Sequence, residues 1–327
     1  MKKSLAVFAL AAVAALTLSG CSDSAASPSA APSDADSGEL RDIRVAALPI
    51  AETGALWAAI DAGIFEEYGL NVEVVPAQGG AQAIPALLSE DIQFAIGQPF
   101  GPIRADLQDL GIVIIGDYAD SLADGTDVNA VVALGGSGIA SPKDLSGKKV
   151  SVNSLGAAGD LTIRAAVDAD GGDSSTIEFV EVAFPEAKAQ LDAGTIDAAW
   201  VPDPFRGIIL GAGGVSVVSP YQAVIPGLTV LTNITTQKLI DEDPDLVADY
   251  SAAMAEALAY AADNEDAVRA AIATGLDIPA EAVAGIALPT FTWELDADSI
   301  KTLGDLAVEY TYIDTLPDFD RLLQQQQ

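Results

Sequence analysis

The chain has 327 residues, half of them hydrophobic, with 48 acidic against 15 basic side chains, no histidine and one cysteine. A net charge of −33 excludes nucleic acid as a partner and argues against broad adhesion to an anionic membrane surface. Without histidine there is no Ser-His-Asp or Cys-His catalysis and no histidine-based zinc site, and a lone cysteine permits no intrachain disulfide.

Lys2 and Lys3 precede an apolar run from Leu5 to Leu18, too short to span a bilayer comfortably, and small residues follow in Leu18-Ser19-Gly20-Cys21. Residues 1–20 therefore read as a secretory signal peptide, and the ending resembles the lipobox of bacterial lipoproteins. That resemblance implies cleavage before Cys21, lipidation of its sulfur, and acyl chains that anchor the protein to the outer face of the cell membrane. Residues 21–40 read as the lipidated cysteine and a disordered tether, since they are almost wholly Ser, Ala, Pro, Asp and Gly. Such a coil reaches roughly 20–25 Å. Losing Lys2 and Lys3 with the signal takes the charge to −35.

From Leu40 onward the chain is longer than one core usually serves, so two lobes are expected. Hydrophobic periodicity predicts a strand at Arg44–Leu48, a helix at Ala55–Glu67, a strand at Asn71–Val75, a helix at Gln82–Leu88 and a strand at Phe94–Ile96. About 105 residues later the order recurs at Val150–Asn153, Ala158–Ala169, Ile177–Val182, Glu186–Ala193 and Ala198–Val201. Three local echoes share that spacing: Asn71-Val72-Glu73-Val74-Val75 with Thr176-Ile177-Glu178-Phe179-Val180, Asp91-Ile92-Gln93 with Thr195-Ile196-Asp197, and Pro99-Phe100 with Pro204-Phe205. Strands at Val215–Val218 and Leu228–Thr232 follow, and then helices from Asp245 to the end.

Alternating strands and helices predict an α/β protein of two doubly wound lobes with parallel sheets. If the C-terminal helices return to the first lobe, the chain crosses between lobes near Asn129–Ala133 and near Tyr221–Leu228, a two-strand hinge able to close on a ligand. Lobe 1 is then 41–133 plus 226–327, and lobe 2 is 134–225. Ligands bind beyond the carboxyl ends of such strands. In lobe 1 those loops carry Pro49, Glu52, Thr53, Gly54, Gln78, Gly79, Gly80, Gln98 and Pro99; in lobe 2 they carry Asn153, Ser154, Gly156, Ala157, Asp203 and Phe205. Gly79, Gly80, Gly156 and Gly159 would let backbone N–H groups meet an oxyanion, although turns and caps explain each glycine singly. Trp200 would supply a flat wall; Trp57 suits either the cleft or core packing. Arg206 reads as a solvated helix residue, and Glu52, Asp160 and Asp203 oppose a strong anion unless they cap helices, so the ligand's charge stays open.

Ala58-Ala59-Ile60-Asp61-Ala62-Gly63-Ile64-Phe65-Glu66-Glu67-Tyr68-Gly69-Leu70-Asn71-Val72-Glu73, with Gln78-Gly79-Gly80, Ser141-Pro142-Lys143-Asp144-Leu145-Ser146-Gly147-Lys148 and Ile196-Asp197-Ala198-Ala199-Trp200, resembles the solute-binding lipoproteins of ABC importers in the nitrate, sulfonate, taurine and thiamine-pyrimidine-precursor group. The resemblance implies a type II periplasmic-binding-protein fold, clamshell closure by a monomer, no cofactor or metal, and delivery to an ABC permease and its ATPase. A sulfonate, taurine or nitrate-type anion is the first expectation for the solute. A pyrimidine, flavin or other aromatic heterocycle is the second, and a sensor partnering a membrane kinase is the alternative role. Enzymes of similar fold use a histidine or a cysteine nucleophile, and here histidine is absent and Cys21 is committed to lipid.

Overall fold

The computed structural model describes residues 40–77 and 79–326, so the expected signal, the lipidation of Cys21, the tether up to residue 39, and Gln78 lie outside the described residues. Eleven strands are described: β1 (Arg41–Ala47), β2 (Leu70–Pro76), β3 (Phe94–Gly97), β4 (Ile112–Asp120), β5 (Asn129–Ala133), β6 (Lys149–Val152), β7 (Glu178–Glu181), β8 (Ala198–Pro202), β9 (Val215–Val218), β10 (Thr229–Thr236) and β11 (Thr290–Phe291). Between them run α1 (Gly54–Asp61), α2 (Ile64–Glu67), α3 (Gly80–Leu88), α4 (Phe100–Asp106), α5 (Ala158–Ala169), α6 (Ala187–Asp192), α7 (Phe205–Gly211), α8 (Pro220–Val224) and α9 (Gln237–Glu242). The C-terminal third adds α10 (Pro244–Asp263), α11 (Glu265–Gly275), α12 (Ala280–Val283), α13 (Ala297–Glu309) and α14 (Phe319–Leu322).

Two sheets result, ordered β11-β4-β10-β3-β1-β2 and β7-β6-β8-β5-β9. The repeat read from the sequence is a repeat of topology. β1 pairs in parallel with β2 and β3, and β6 pairs in parallel with β7 and β8. Each parallel triplet is then extended by one antiparallel strand from the other half of the chain: β10 joins β3, and β5 joins β8. The stretch Asn129–Ala133, expected at the end of lobe 1, is therefore a strand of the second sheet, and the first passage between sheets is residues 121–128. The second passage is residues 219–228 and contains α8. The passages are tied together: Ser121 N donates to Leu228 O at 2.8 Å, and Gln222 Nε2 to Leu122 O at 2.9 Å.

Central strands β3 and β10 are buried along their whole length, as strands covered on both faces must be. On the first sheet Tyr250 of α10 stacks on Phe94 with ring centres 3.6 Å apart, and its hydroxyl donates to Asn233 Oδ1 at 2.8 Å. The helix expected over Ala55–Glu67 is two helices, because Gly63 takes a left-handed φ of +77° that turns the chain between α1 and α2.

Candidate functional site

Where the carboxyl ends of the two parallel triplets face each other, the lobes enclose a cavity of about 70 Å³. It is reached from lobe 1 by Leu48 and Ile50 after β1, Gly79 and Gln82 after β2, and Gln98, Phe100 and Arg104 after β3. From lobe 2 come Asn153 to Ala157 after β6, Phe184 after β7, and Trp200 and Pro202 on β8. The lobes touch across it: Ala51 N donates to Asp203 O at 3.2 Å.

One wall is aromatic. Trp200 meets Phe184 edge-on at 5.7 Å and Tyr221 at 5.6 Å, with interplanar angles of 65° and 67°. The indole N–H is spent on Asn129 Oδ1 at 2.9 Å, which fixes the ring on β8. Gly159 makes room for it, since a Cβ there would stand 3.0 Å from the ring. Tyr221, on the second passage, accepts from Gln98 Nε2 at 2.8 Å, so an amide of lobe 1 is oriented by the wall opposite.

The other wall carries charge. Glu52 sits in a short 3-10 turn, Ala51–Thr53, entering α1. Tyr118 of β4 clamps that turn, its hydroxyl donating to Glu52 O at 3.1 Å and accepting from Leu56 N at 3.0 Å. The Glu52 side chain is buried, and its Oε2 has no hydrogen-bond partner. Burial pushes its pKa up to about 8, with the carboxylates of Asp203 and Asp127 adding to the rise and Arg206 opposing it. Arg104 lies over the Phe100 ring at 5.2 Å, donates to Tyr312 O at 3.4 Å and abuts Gly156, whose φ is +68°.

The helix starts of lobe 2 are already occupied. Asp160, in the first turn of α5, folds back so that its oxygens accept from Gly156 N and Ala157 N, both at 2.8 Å. Asp203 Oδ1 accepts from Gly207 N in the first turn of α7 at 3.0 Å, and its other oxygen pairs with Arg206. These carboxylates supply the negative charge that the exposed N–H groups of a helix start attract.

Of the residues singled out from sequence, Glu52, Gly79, Gln98, Asn153, Ser154, Gly156, Ala157 and Trp200 line the cavity. Pro49 is exposed, Thr53 donates to Leu48 O, and Gly54 lets α1 approach α11, where a Cβ would stand 2.5 Å from Ile272. Trp57 packs against Gly275 at the end of α11, outside the cavity lining. Gly80 is the first residue of α3, and Pro99 caps α4 without lining the cavity. Phe205 stacks behind the wall on Phe184 at 6.1 Å, and Asp203 is a cap. Arg206 is not solvated as expected: it is buried, holding Asp203 and the Asp127 carbonyl. Sequence reasoning missed Arg104, placed Phe184 in the cleft loop Ala183–Pro185 without singling it out, and took Tyr221 only as the start of the second crossing between lobes. Arg104 stands four residues after Phe100 on the same helix, a spacing that could have revealed it.

Two α/β lobes with a cavity between them define a two-lobed binding protein of the type II periplasmic-binding-protein fold. The family model described as "NMT1/THI5 like" matches residues 51–268, and the chain belongs to that family. It is 24% identical over 268 residues to the formylaminopyrimidine-binding protein of Halalkalibacterium halodurans, covering 81% of this chain and 77% of that protein. Among solved structures, the alkanesulfonate-binding protein of Xanthomonas axonopodis pv. citri bound to MOPS superposes with a TM-score of 0.72 at 16% identity, covering 86% of this chain and 96% of that one. The ligand-binding component of an ABC-type import system from Staphylococcus aureus gives 0.74 at 13% identity, covering 87% and 97%.

Proposed function

We propose that this protein is the extracytoplasmic solute-binding component of an ABC importer, and that its solute is a flat nitrogen heterocycle. The solute is gripped between the lobe built on the first sheet and the lobe built on the second, joined by passages 121–128 and 219–228, then delivered to a membrane permease driven by an ATPase. Lipid on Cys21 keeps the protein, acting as a monomer, at the outer face of the membrane. Binding needs no covalent chemistry, only a preformed site and two states that differ in ligand contacts.

The observation that carries the heterocycle is the wall of Phe184, Trp200 and Tyr221 facing the amides Gln82 and Gln98 across the slot. A planar ring buries its faces on such a wall and leaves its edge to polar groups. The relative named for formylaminopyrimidine supports the same reading. The sulfonate or nitrate-type anion expected first from sequence fits less well, because Asp160 and Asp203 already satisfy the helix starts and Glu52 adds a further acid to the lining. The test is a thermal-shift titration of the full chain with 4-aminopyrimidine, taurine, methanesulfonate and nitrate. A rise in Tm that grows with 4-aminopyrimidine concentration, and none with the anions, is expected. A rise with the sulfonates alone sinks the heterocycle.

A further inference from the structure

Glu52 is the one cavity-lining side chain, among the described residues, that combines deep burial with a polar atom left unpaired. Leaving a buried acceptor unmade costs about 1–3 kcal/mol, more for a charged group, so native proteins keep such atoms where something else completes them. Neighbouring groups do not complete this one. The single proton of Tyr118 Oη goes to the Glu52 backbone carbonyl, and that of Trp200 Nε1 goes to Asn129. Arg206 reaches toward this cluster but spends its guanidinium on Asp203 and the Asp127 carbonyl.

The setting is also acidic from two sides. Asp203 of the facing lobe and Asp127 of the first passage both act on Glu52, and Asp127 Oδ2 is itself unpaired and buried. Bringing the lobes together therefore places like charges near one another unless a proton or a donor-bearing solute intervenes. No described bond reaches Glu52 Oε2, and a solute in the cavity that this side chain lines can supply the donor.

Resting on the heterocycle reading above, we infer that Glu52 selects the solute: its unpaired oxygen accepts from a ring-edge N–H, so the cleft takes amino-substituted, weakly basic nitrogen heterocycles and rejects rings without a donor there. The aromatic wall of lobe 2 recognises only flatness, and the selectivity among flat rings comes from lobe 1. An anionic substituent at that edge meets a carboxyl oxygen and is excluded by the same residue.

Isothermal titration of the full chain with 4-aminopyrimidine and 4-methylpyrimidine, rings of similar size that differ in the edge donor, tests this. At pH 9, above the value of about 8 to which burial raises Glu52, wild type is expected to prefer the amino ring by about ten- to a hundredfold, the worth of a hydrogen bond to a charged group. Glu52→Leu should reduce that preference to about twofold or less while binding the methyl ring at least as well as wild type, since a buried acceptor is no longer left bare. Glu52→Gln, which keeps an acceptor oxygen and the side-chain shape, should fall between the two and serves if the leucine variant does not fold. Preference for the amino ring surviving both substitutions overturns the role of Glu52 while leaving the heterocycle in place. Neither ring binding the folded wild type overturns the heterocycle and this inference together.

Discussion

The two walls of the cleft are finished to different degrees. Lobe 2 is internally satisfied: the N–H of Trp200 has Asn129, the start of α5 has Asp160, and that of α7 has Asp203. Lobe 1 presents Glu52 with an oxygen unpaired and Gln98 held only by a partner across the gap. A satisfied wall offers shape and apolar area, which many flat molecules can use. An unsatisfied polar atom discriminates, because a solute that fails to pair with it leaves the desolvation cost standing.

The largest break in that comparison comes from removing the wall. Trp200→Ala should cost about 3–5 kcal/mol of folding stability and weaken solute binding about a hundredfold or more, read by denaturant titration and calorimetry. Retained affinity would mean that the solute does not lie on the indole.

Next is the pH response of the charged side. Glu52 ordinarily titrates at 4.5 and is pushed up to about 8 in this closed cleft. Its protonated form is thus favoured by closure, so its contribution to the closed, solute-free state is complete below about 4.5 and is lost as pH rises through about 8. The groups facing it are Asp203, Asp127 and Arg206, with Tyr118 and Tyr221 nearby. Small-angle scattering of the solute-free protein should show a compact particle at pH 5 that expands by pH 9. The underlying change is on the order of several kcal/mol, and Glu52→Leu should flatten the response. Equal dimensions across that range in wild type would break the link between Glu52 and closure.

The smallest effect sharpens the contrast of helix starts. Asp160→Ala removes the acceptor for Gly156 and Ala157 and should destabilise the fold by about 0.5–2 kcal/mol. It also frees two N–H groups, so weak methanesulfonate binding should appear where wild type shows none. If it does not, the cap is not what keeps anions away.

Much of the fold was legible because hydrophobic period and glycine or proline punctuation are local. The helix Ala158–Ala169 and the strand Val215–Val218 were read to the residue, and the duplicated order reappears as two parallel triplets. Strand β4 was missed, although Ile112–Asp120 is the longest strand described and is buried along nearly its whole length. A short apolar run buried on both faces shows no alternation and so offers no period to read. The site divides in the same way. Loops at strand carboxyl ends were placed from chain order alone, and seven of the residues taken from them line the cavity, with Trp200 of β8 as the eighth. Trp57 and Arg206 went elsewhere because a helix start or a loop end can turn its side chain to either side, and only Gly275 for one and Asp203 with Asp127 for the other decided which.

By itself, the sequence determined the doubled α/β plan, the strong acidity, and an inventory without histidine whose lone cysteine sits at residue 21. These are properties of composition and order, which do not depend on what any side chain touches. Tertiary structure alone decided which acids are caps and which is bare. Asp160, Asp203 and Glu52 are alike as carboxylates in predicted cleft loops, yet two find backbone N–H groups within hydrogen-bonding distance and one retains an unpaired oxygen. The difference arises from long-range packing: Tyr118, more than sixty residues away on β4, clamps the turn that carries Glu52.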